Sequence, residues 1–388
     1  MTGTPVTVVW DERFFEYDFG ADHPFTERSR GLGVRLFEWL AERPHAPPVE
    51  WCREVEPAAR GLLEIFHEPE YLDLVERASR LGGRVPLDAG DTPSFPGCYE
   101  SAARIVGGAD VALTAVLQRR APAFHPGGGL HHAHPGRASG FCIFNDVALA
   151  VAKAVRAGLR VAYIDIDAHH GDGVMYGFYS SGQVLDIDFH QDGRTLFPGT
   201  GFPIECGSGD GSGLKVNVPL PPFAGDEALL PLFRRLVPPM LDAFRPELIV
   251  LQHGVDGHAG DALARLQYTP AAYEEILRTL LDFARARTDG RLLVTGGGGY
   301  RPESVSRVLA RAGAILAGFE LPAPGARLPE EWRYEYFRTV DESAPTLWCG
   351  PDARVPSRWR HEDEASLVLE LENALGTTFP ARAPEGAV

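Results

Sequence analysis

Six short apolar runs punctuate the chain, at residues 6–10, 160–167, 184–190, 214–220, 248–254 and 292–296, with a weaker run at 121–125. Such runs read as strands buried on both faces of a parallel sheet. Between most of them, apolar residues recur with helical spacing, over 99–118, 145–157, 226–244, 270–287 and 303–317. Strands alternating with helices predict an α/β fold: a three-layer arrangement of one mostly parallel sheet with helices on both faces. No internal repeat or low-complexity linker interrupts the pattern. The tail after Leu321 is rich in proline, charge and tryptophan and is expected to pack across the domain, with a frayed end over 381–388.

The polar residues that end these runs carry the chemistry. Val161-Ala-Tyr-Ile-Asp-Ile-Asp-Ala-His-His-Gly-Asp172 places three aspartates and two histidines at the carboxyl end of a buried strand. Open α/β folds put their sites at such ends. Asp165 and Asp167 share one strand face, as does His169 if the extended conformation continues. Asp167 and His169 would supply half of a divalent-metal site, with Asp256 as the best third ligand. Two aspartates and one histidine leave coordination positions open, as a catalytic site requires. Zinc fits, and oxygen-rich ligation also admits Fe(II), Mn(II) or Co(II). The competing reading is a polar strand end with capping aspartates.

His190, Gln252, His253 and the Gly296-Gly-Gly-Gly-Tyr300 segment close other runs, and all should gather at one sheet edge. Seven of the thirteen histidines lie between His125 and His190. His131 and His132 sit in a glycine-flanked loop, where adjacent side chains can both point inward. Each needs an acceptor on its far nitrogen. Asp165 and Asp172 remain once metal ligands are assigned, which pairs His131 with Asp165 and His132 with Asp172. The glycine run before Tyr300 lacks the ending of a phosphate-binding loop. It is better read as freeing the backbone so that a tyrosine hydroxyl reaches the metal and donates to a developing oxyanion.

Composition narrows the partners. The formal charge of -16 disfavours nucleic acid and favours cationic partners such as lysine-rich segments or polyamines, although it also simply keeps a protein soluble. No apolar run approaches the roughly 18 residues that span a membrane. The amino terminus lacks the basic and apolar regions of a signal peptide. Five widely spaced cysteines without a Cys-x-x-Cys fit a reducing cytoplasm. Only two residues of the chain are lysine, Lys153 and Lys215.

Several motifs together resemble the zinc-dependent histone deacetylase family, in order from about residue 23 to 317: Gly129-Leu-His-His-Ala133, Ala138-Ser-Gly-Phe-Cys142, Tyr163-Ile-Asp-Ile-Asp-x-His-His-Gly-Asp-Gly173, Phe197-Pro-Gly-Thr-Gly201 and Gly296-Gly-Gly-Gly-Tyr300. Gln252-His-Gly-x-Asp256 followed by His258 looks most like the bacterial acetoin-utilisation deacetylase branch. The resemblance implies the arginase/deacetylase fold, a single eight-stranded parallel sheet, as one domain over 1–388 with 318–388 an extension packed on it. It implies Asp167, His169 and Asp256 as zinc ligands, and His131, His132, Asp165, Asp172 and Tyr300 as catalytic residues. Asp91, Gly140, Phe141, Phe197 and Leu263 would contact substrate. Phe141 and Phe197 would wall an acyl-lysine tunnel, and Asp91 would hold the substrate backbone at its rim. A potassium ion near Asp165, Asp167, His169, Asp188 and Phe189 is also implied.

There are departures from the family pattern. Asp188 stands where the family usually has serine, giving the cation site an extra carboxylate. Val218 stands where a tyrosine usually serves a second potassium. The amino-terminal arginine is one position off the usual spacing, leaving Arg28 and Arg30 as alternatives for an internal channel. In the related arginases the two-metal motif has an aspartate where Gly171 stands, so the second-metal set is incomplete here.

The expected activity is hydrolysis of the acetyl amide of N-acetyl-lysine in proteins or peptides, releasing acetate and free lysine. The alternatives are an acetylpolyamine amidohydrolase and a non-catalytic acyl-lysine or nucleotide-binding module. The sequence does not set the oligomeric state.

Overall fold

The computed structural model describes residues 4–82, 85–88, 90–323, 325–348 and 359–379. The expected frayed end over 381–388 and Cys349 lie outside them. Eight strands, β1 (Val6–Val9), β2 (Val49–Cys52), β3 (Ala123–His125), β4 (Val161–Asp165), β5 (Val184–Gln191), β6 (Lys215–Leu220), β7 (Leu248–Gln252) and β8 (Leu292–Thr295), form one sheet. Its order is β2-β1-β3-β8-β7-β4-β5-β6, and every pairing is parallel. The fold class is the one the apolar runs predict.

The helices are α1 (Arg28–Ala41), α2 (Arg60–Leu63), α3 (Pro69–Leu81), α4 (Cys98–Arg119), α5 (Asp146–Arg156), α6 (Asp172–Gly177), α7 (Asp226–Phe244), α8 (Pro270–Arg287), α9 (Pro302–Ala317), α10 (Glu330–Val340) and α11 (His361–Leu375). Strand side chains alternate between two cores. Ala162, Ile164, Leu185, Ile187, Ile249 and Leu251 pack with α1, α7, α8 and α9. Val161, Tyr163, Val184, Leu248 and Val250 pack on the other face with α4 and α5. Both faces are therefore dry, which is why β4 and β7 read as nearly continuous apolar runs, while β5 and β6 bury Asp186, Asp188, Lys215 and Asn217 among their apolar residues.

Local chemistry sets the boundaries. Thr269 caps α8 by accepting from Ala271 N at 3.2 Å, with Pro270 in the first turn. Gly318 ends α9 in the left-handed conformation. Strand β2 and helices α1, α2, α3, α6, α10 and α11 had no marked counterpart in the sequence reading. β2 is a four-residue edge strand, half-buried throughout, so its apolar signal is weak. The tail packs on the body: Trp332 of α10 donates its indole N–H to Leu32 O of α1 at 2.8 Å, and Leu367, Val368 and Leu371 of α11 join the core.

The chain runs from β3 past β8 and β7 to reach β4. The carboxyl ends of β3, β8, β7, β4 and β5 therefore adjoin, and the loops after them converge over one edge of the sheet.

Candidate active site

Strand β4 stops at Asp165, two residues short of the expected end. Beyond it the backbone amides turn to carboxylates: Asp167 N to Asp165 Oδ1 (2.9 Å), Ala168 N to Asp256 Oδ1 (2.6 Å) and His169 N to Asp167 Oδ1 (2.9 Å). The chain leaves the sheet, yet Asp167, His169 and Asp256 still meet. One potential ligand atom from each lies within 4.8 Å of the others, and all three residues are buried. His169 Nδ1 is 2.8 Å from Asp256 Oδ2 and 3.2 Å from Asp167 Oδ1. Burial opposes a charged imidazole, but Asp256 and Asp167 overcome it and push His169 up to about 10. The site thus demands a positive charge among its carboxylates, which a divalent cation in place of the proton would supply. This is the one such three-residue cluster among the described residues.

The glycine run has a further use beside the one expected. Gly298 N donates to Asp167 Oδ2 at 2.6 Å, and a Cβ at Gly298 would lie 2.0 Å from Asp256 Oδ2. The run makes room for the two carboxylates as well as aiming Tyr300. The Tyr300 ring stands 6.2 Å from the His169 ring and 6.0 Å from that of Phe141, both edge-on. Burial and the neighbouring Asp256 and Asp167 keep its phenol protonated, as a donor must be.

His131 and His132 both point inward, with their Nε2 atoms 3.1 Å apart. His131 Nδ1 meets Asp165 Oδ2 at 2.8 Å, and His132 Nδ1 meets Asp172 Oδ1 at 2.7 Å. The pairs differ electrostatically. Burial would raise Asp172, but hydrogen bonds from His132 and His134 hold it well below the usual carboxylate range. Burial, Asp188 and Asp167 push Asp165 well above that range. Burial and the adjacent His131 bring His132 down to about 4, and burial lowers His131 too. The His132 side therefore pairs a neutral imidazole with an ionised carboxylate, the arrangement of a general base.

A loop walls the site. Gly140 and Phe141 both take positive φ, +54° and +67°. A Cβ on Gly140 would lie 2.4 Å from His132 Cδ2, so only glycine lets the loop approach the imidazole. Tyr17 OH donates to Phe141 O (2.7 Å) and accepts from Ile143 N (3.0 Å), while Thr92 Oγ1 accepts from Phe141 N (3.0 Å). These contacts hold a bulky residue in a conformation it rarely adopts. Phe197, partly exposed, has its ring 5.1 Å from that of His132.

Asp91 is exposed on the loop before α4. Its own turn is capped by Asp88, whose Oδ1 accepts from Gly90 N, Asp91 N and Thr92 N at 2.8, 3.1 and 3.1 Å. Asp91 Oδ1 accepts from Thr92 Oγ1 at 3.2 Å, which links the rim to the Phe141 loop. Leu263 is exposed on a loop whose anchor the sequence reading missed. Asp261 accepts from Leu263 N and from Tyr300 N, both at 2.9 Å. Tyr17, Thr92 and Tyr163 were also missed; Tyr163 OH donates to Asp165 Oδ2. Tyr17, Thr92 and Asp261 act through partners more than thirty residues away, which no local pattern marks, whereas Tyr163 lies inside the strand motif, two residues before the carboxylate it serves.

Other expectations are redistributed. His253 turns away from the site, its ring 5.4 Å from that of Tyr273. His170 bonds Thr200 Oγ1 at 2.8 Å. Arg30, not Arg28, is the buried arginine: it pairs with Glu27 and donates to Gly297 O behind the site, while Arg28 is exposed. Asp188 sits across from Asp165 in the strand register, and its two oxygens accept from Gly171 N and meet His190 Nδ1, both at 2.7 Å. Two buried carboxylates in register suit a cation, although Asp188 already serves internal donors. The Phe189 ring packs on Phe233, away from Asp165 and Asp188, with its centroid 6.0 Å from that ring.

The geometry has its counterpart in known proteins. A family model described as the histone deacetylase domain matches residues 28–316. The chain is 35% identical over 354 residues to the acetoin utilization protein AcuC of Bacillus subtilis (strain 168), covering 88% of this chain and 89% of that one. It is 34% identical over 355 residues to the AcuC of Staphylococcus xylosus, with the same coverage of each chain. A crystal structure of an HDAC homolog complexed with SAHA superposes with a TM-score of 0.81 at 25% identity, over 95% of this chain and all of the other. The HDA15 HD domain superposes at 0.76 with 26% identity, over 96% of each chain. By fold, by the order of its motifs and by similarity along most of its length, this chain belongs to the histone deacetylase family.

Proposed function

We propose that the protein hydrolyses the acetyl amide of N-acetyl-lysine side chains in proteins or peptides, releasing acetate and free lysine. The observation that carries this reading is the pair of histidine–aspartate dyads beside the buried Asp167, His169 and Asp256 group. Zinc is the ion we assign to that group, with potassium near Asp165 and Asp188. When bound, the divalent ion supplies Lewis-acid polarisation of the amide carbonyl and activation of water. His132, kept neutral and oriented by Asp172, takes the proton of the attacking water and returns it to the departing amine. His131, on the less ionised Asp165, acts electrostatically. Tyr300 donates to the oxyanion of the tetrahedral species. Phe141 and Phe197 form walls that admit a linear aminoalkyl chain, and Gly140 and Leu263 belong to the same surface. The chain is read as a single deacetylase domain. Cytoplasmic location is supported by the free thiols at Cys52, Cys98, Cys142 and Cys206.

The strongly acidic charge favours a second reading, hydrolysis of small acetylated polyamines. One experiment separates them: turnover of an acetyl-lysine peptide and of an acetylated polyamine by metal-saturated protein. The peptide should be the better substrate by kcat/KM, and a reversed order would select the polyamine reading. Elemental analysis should find one divalent ion per chain. Asp167→Ala and Asp256→Ala should empty the site and abolish turnover with unchanged circular dichroism; retained turnover would refute the ligand assignment.

A further inference from the structure

Lys215 has no part in the mechanism above, yet it is fully buried at the start of β6. Its ammonium donates to Val184 O at 2.7 Å and approaches Ser181 O and Leu214 O at 3.5 Å each. It forms no ion pair among the described residues; its bonds go to backbone carbonyls. A set of converging carbonyl oxygens is how proteins replace the hydration shell of a monovalent cation. Ammonium and potassium are close in size, so the two are interchangeable guests for such a set.

The surroundings explain why a cation is needed. Asp186 lies opposite Lys215 in the strand register, and Asp188 lies opposite Asp165. These three aspartates are buried on adjacent strands, and Asp186 Oδ2 has no hydrogen-bond partner. Lys215 is the buried cation that faces these carboxylates, across the strand register from Asp186. Burial draws Lys215 itself down only to about 8, with Asp186 opposing, which leaves it charged at neutral pH. The far end of this layer is Asp165, which orients His131.

We propose that Lys215 is a tethered monovalent cation, its ammonium filling a carbonyl cage formed by Ser181, Val184 and Leu214 and compensating the buried Asp186 opposite it, where a dissociable ion would otherwise be needed. It is a positioning residue for the layer behind His131.

Removing the side chain beyond Cβ should leave a cage that a free cation can enter. Lys215→Ala, prepared in potassium, should lose about 5 °C or more in Tm when moved into tetramethylammonium buffer. At least half of the loss should return with 100 mM potassium or methylammonium chloride. Lys215→Met fills the same space without charge, and should be destabilised without recovering in potassium. Wild type run in parallel subtracts any response of the cation assigned near Asp165 and Asp188. The proposal is overturned if Lys215→Ala gains no more from potassium than wild type, or if Lys215→Met gains as much as Lys215→Ala. It also fails if Lys215→Ala cannot be obtained folded even in potassium, because a free ion would then not replace the ammonium.

Discussion

The asymmetry of the two histidine–aspartate pairs makes a sharp prediction. Asp172 is buried, with Oδ1 2.7 Å from His132 Nδ1 and Oδ2 3.0 Å from His134 Nε2. Asp172→Asn keeps the shape but removes the charge and offers one acceptor where two imidazoles now face carboxylate oxygens. One ring must lose its partner or change tautomer. If it is His132, the proton moves to Nε2, the atom that must accept one from water. A charge-assisted hydrogen bond is worth about 1.5 to 3 kcal/mol, roughly 10- to 100-fold in rate. Loss of the general base extends that to about 10⁴-fold. Asp172→Asn should therefore lower kcat by about 10² to 10⁴. Asp165 is different: burial, Asp188 and Asp167 already favour its neutral form, so Asp165→Asn should cost no more than about tenfold. The assay is steady-state kcat and KM on an acetylated peptide, with metal content equalised and folding checked by circular dichroism. Asp165→Asn at least as damaging as Asp172→Asn would refute the assignment of His132 as the base.

Three further outcomes are expected. Tyr300→Phe should lower kcat by about 10² to 10³ with little change in KM, as for a donor acting on the oxyanion; an unchanged kcat would place the phenol away from the reacting carbonyl. Asp91 is exposed at the rim, with one carboxylate oxygen accepting from Thr92 Oγ1, and burial and Asp88 raise it to about 6. Asp91→Ala should weaken kcat/KM for a peptide by about 10- to 100-fold and for a small acetylated amine much less, and equal losses would leave no backbone-binding role. Burial pushes Glu27 from 4.5 up to about 7, with Arg30 opposing and Asp146 reinforcing. A carboxyl with a raised folded pKa contributes its full stability below pH 4.5 and loses it as pH rises through 7. Glu27→Gln should consequently gain about 1 to 3 kcal/mol relative to wild type between pH 4.5 and 8 in denaturant titrations; parallel curves would show that Glu27 is ionised when folded.

What the sequence determined by itself was the part written in local patterns. An apolar run such as Leu248-Ile-Val-Leu251 identifies a strand because residues buried on both faces are mostly apolar. The edge strand Val49–Cys52 escaped because a half-buried edge needs no such run. Asp167, His169 and Asp256 were legible because carboxylates and an imidazole at the ends of buried strands have few other uses. The tertiary structure decided what depends on distance through space. It selected Arg30 over Arg28 by burying one and exposing the other. It turned His253 toward Tyr273 and set Asp261 beneath both Tyr300 and Leu263. It also separated two chemically identical dyads, lowering the pKa of Asp172 and raising that of Asp165. Charge at a buried site is fixed by the groups around it in three dimensions, and those neighbours come from strands and loops far apart in the chain.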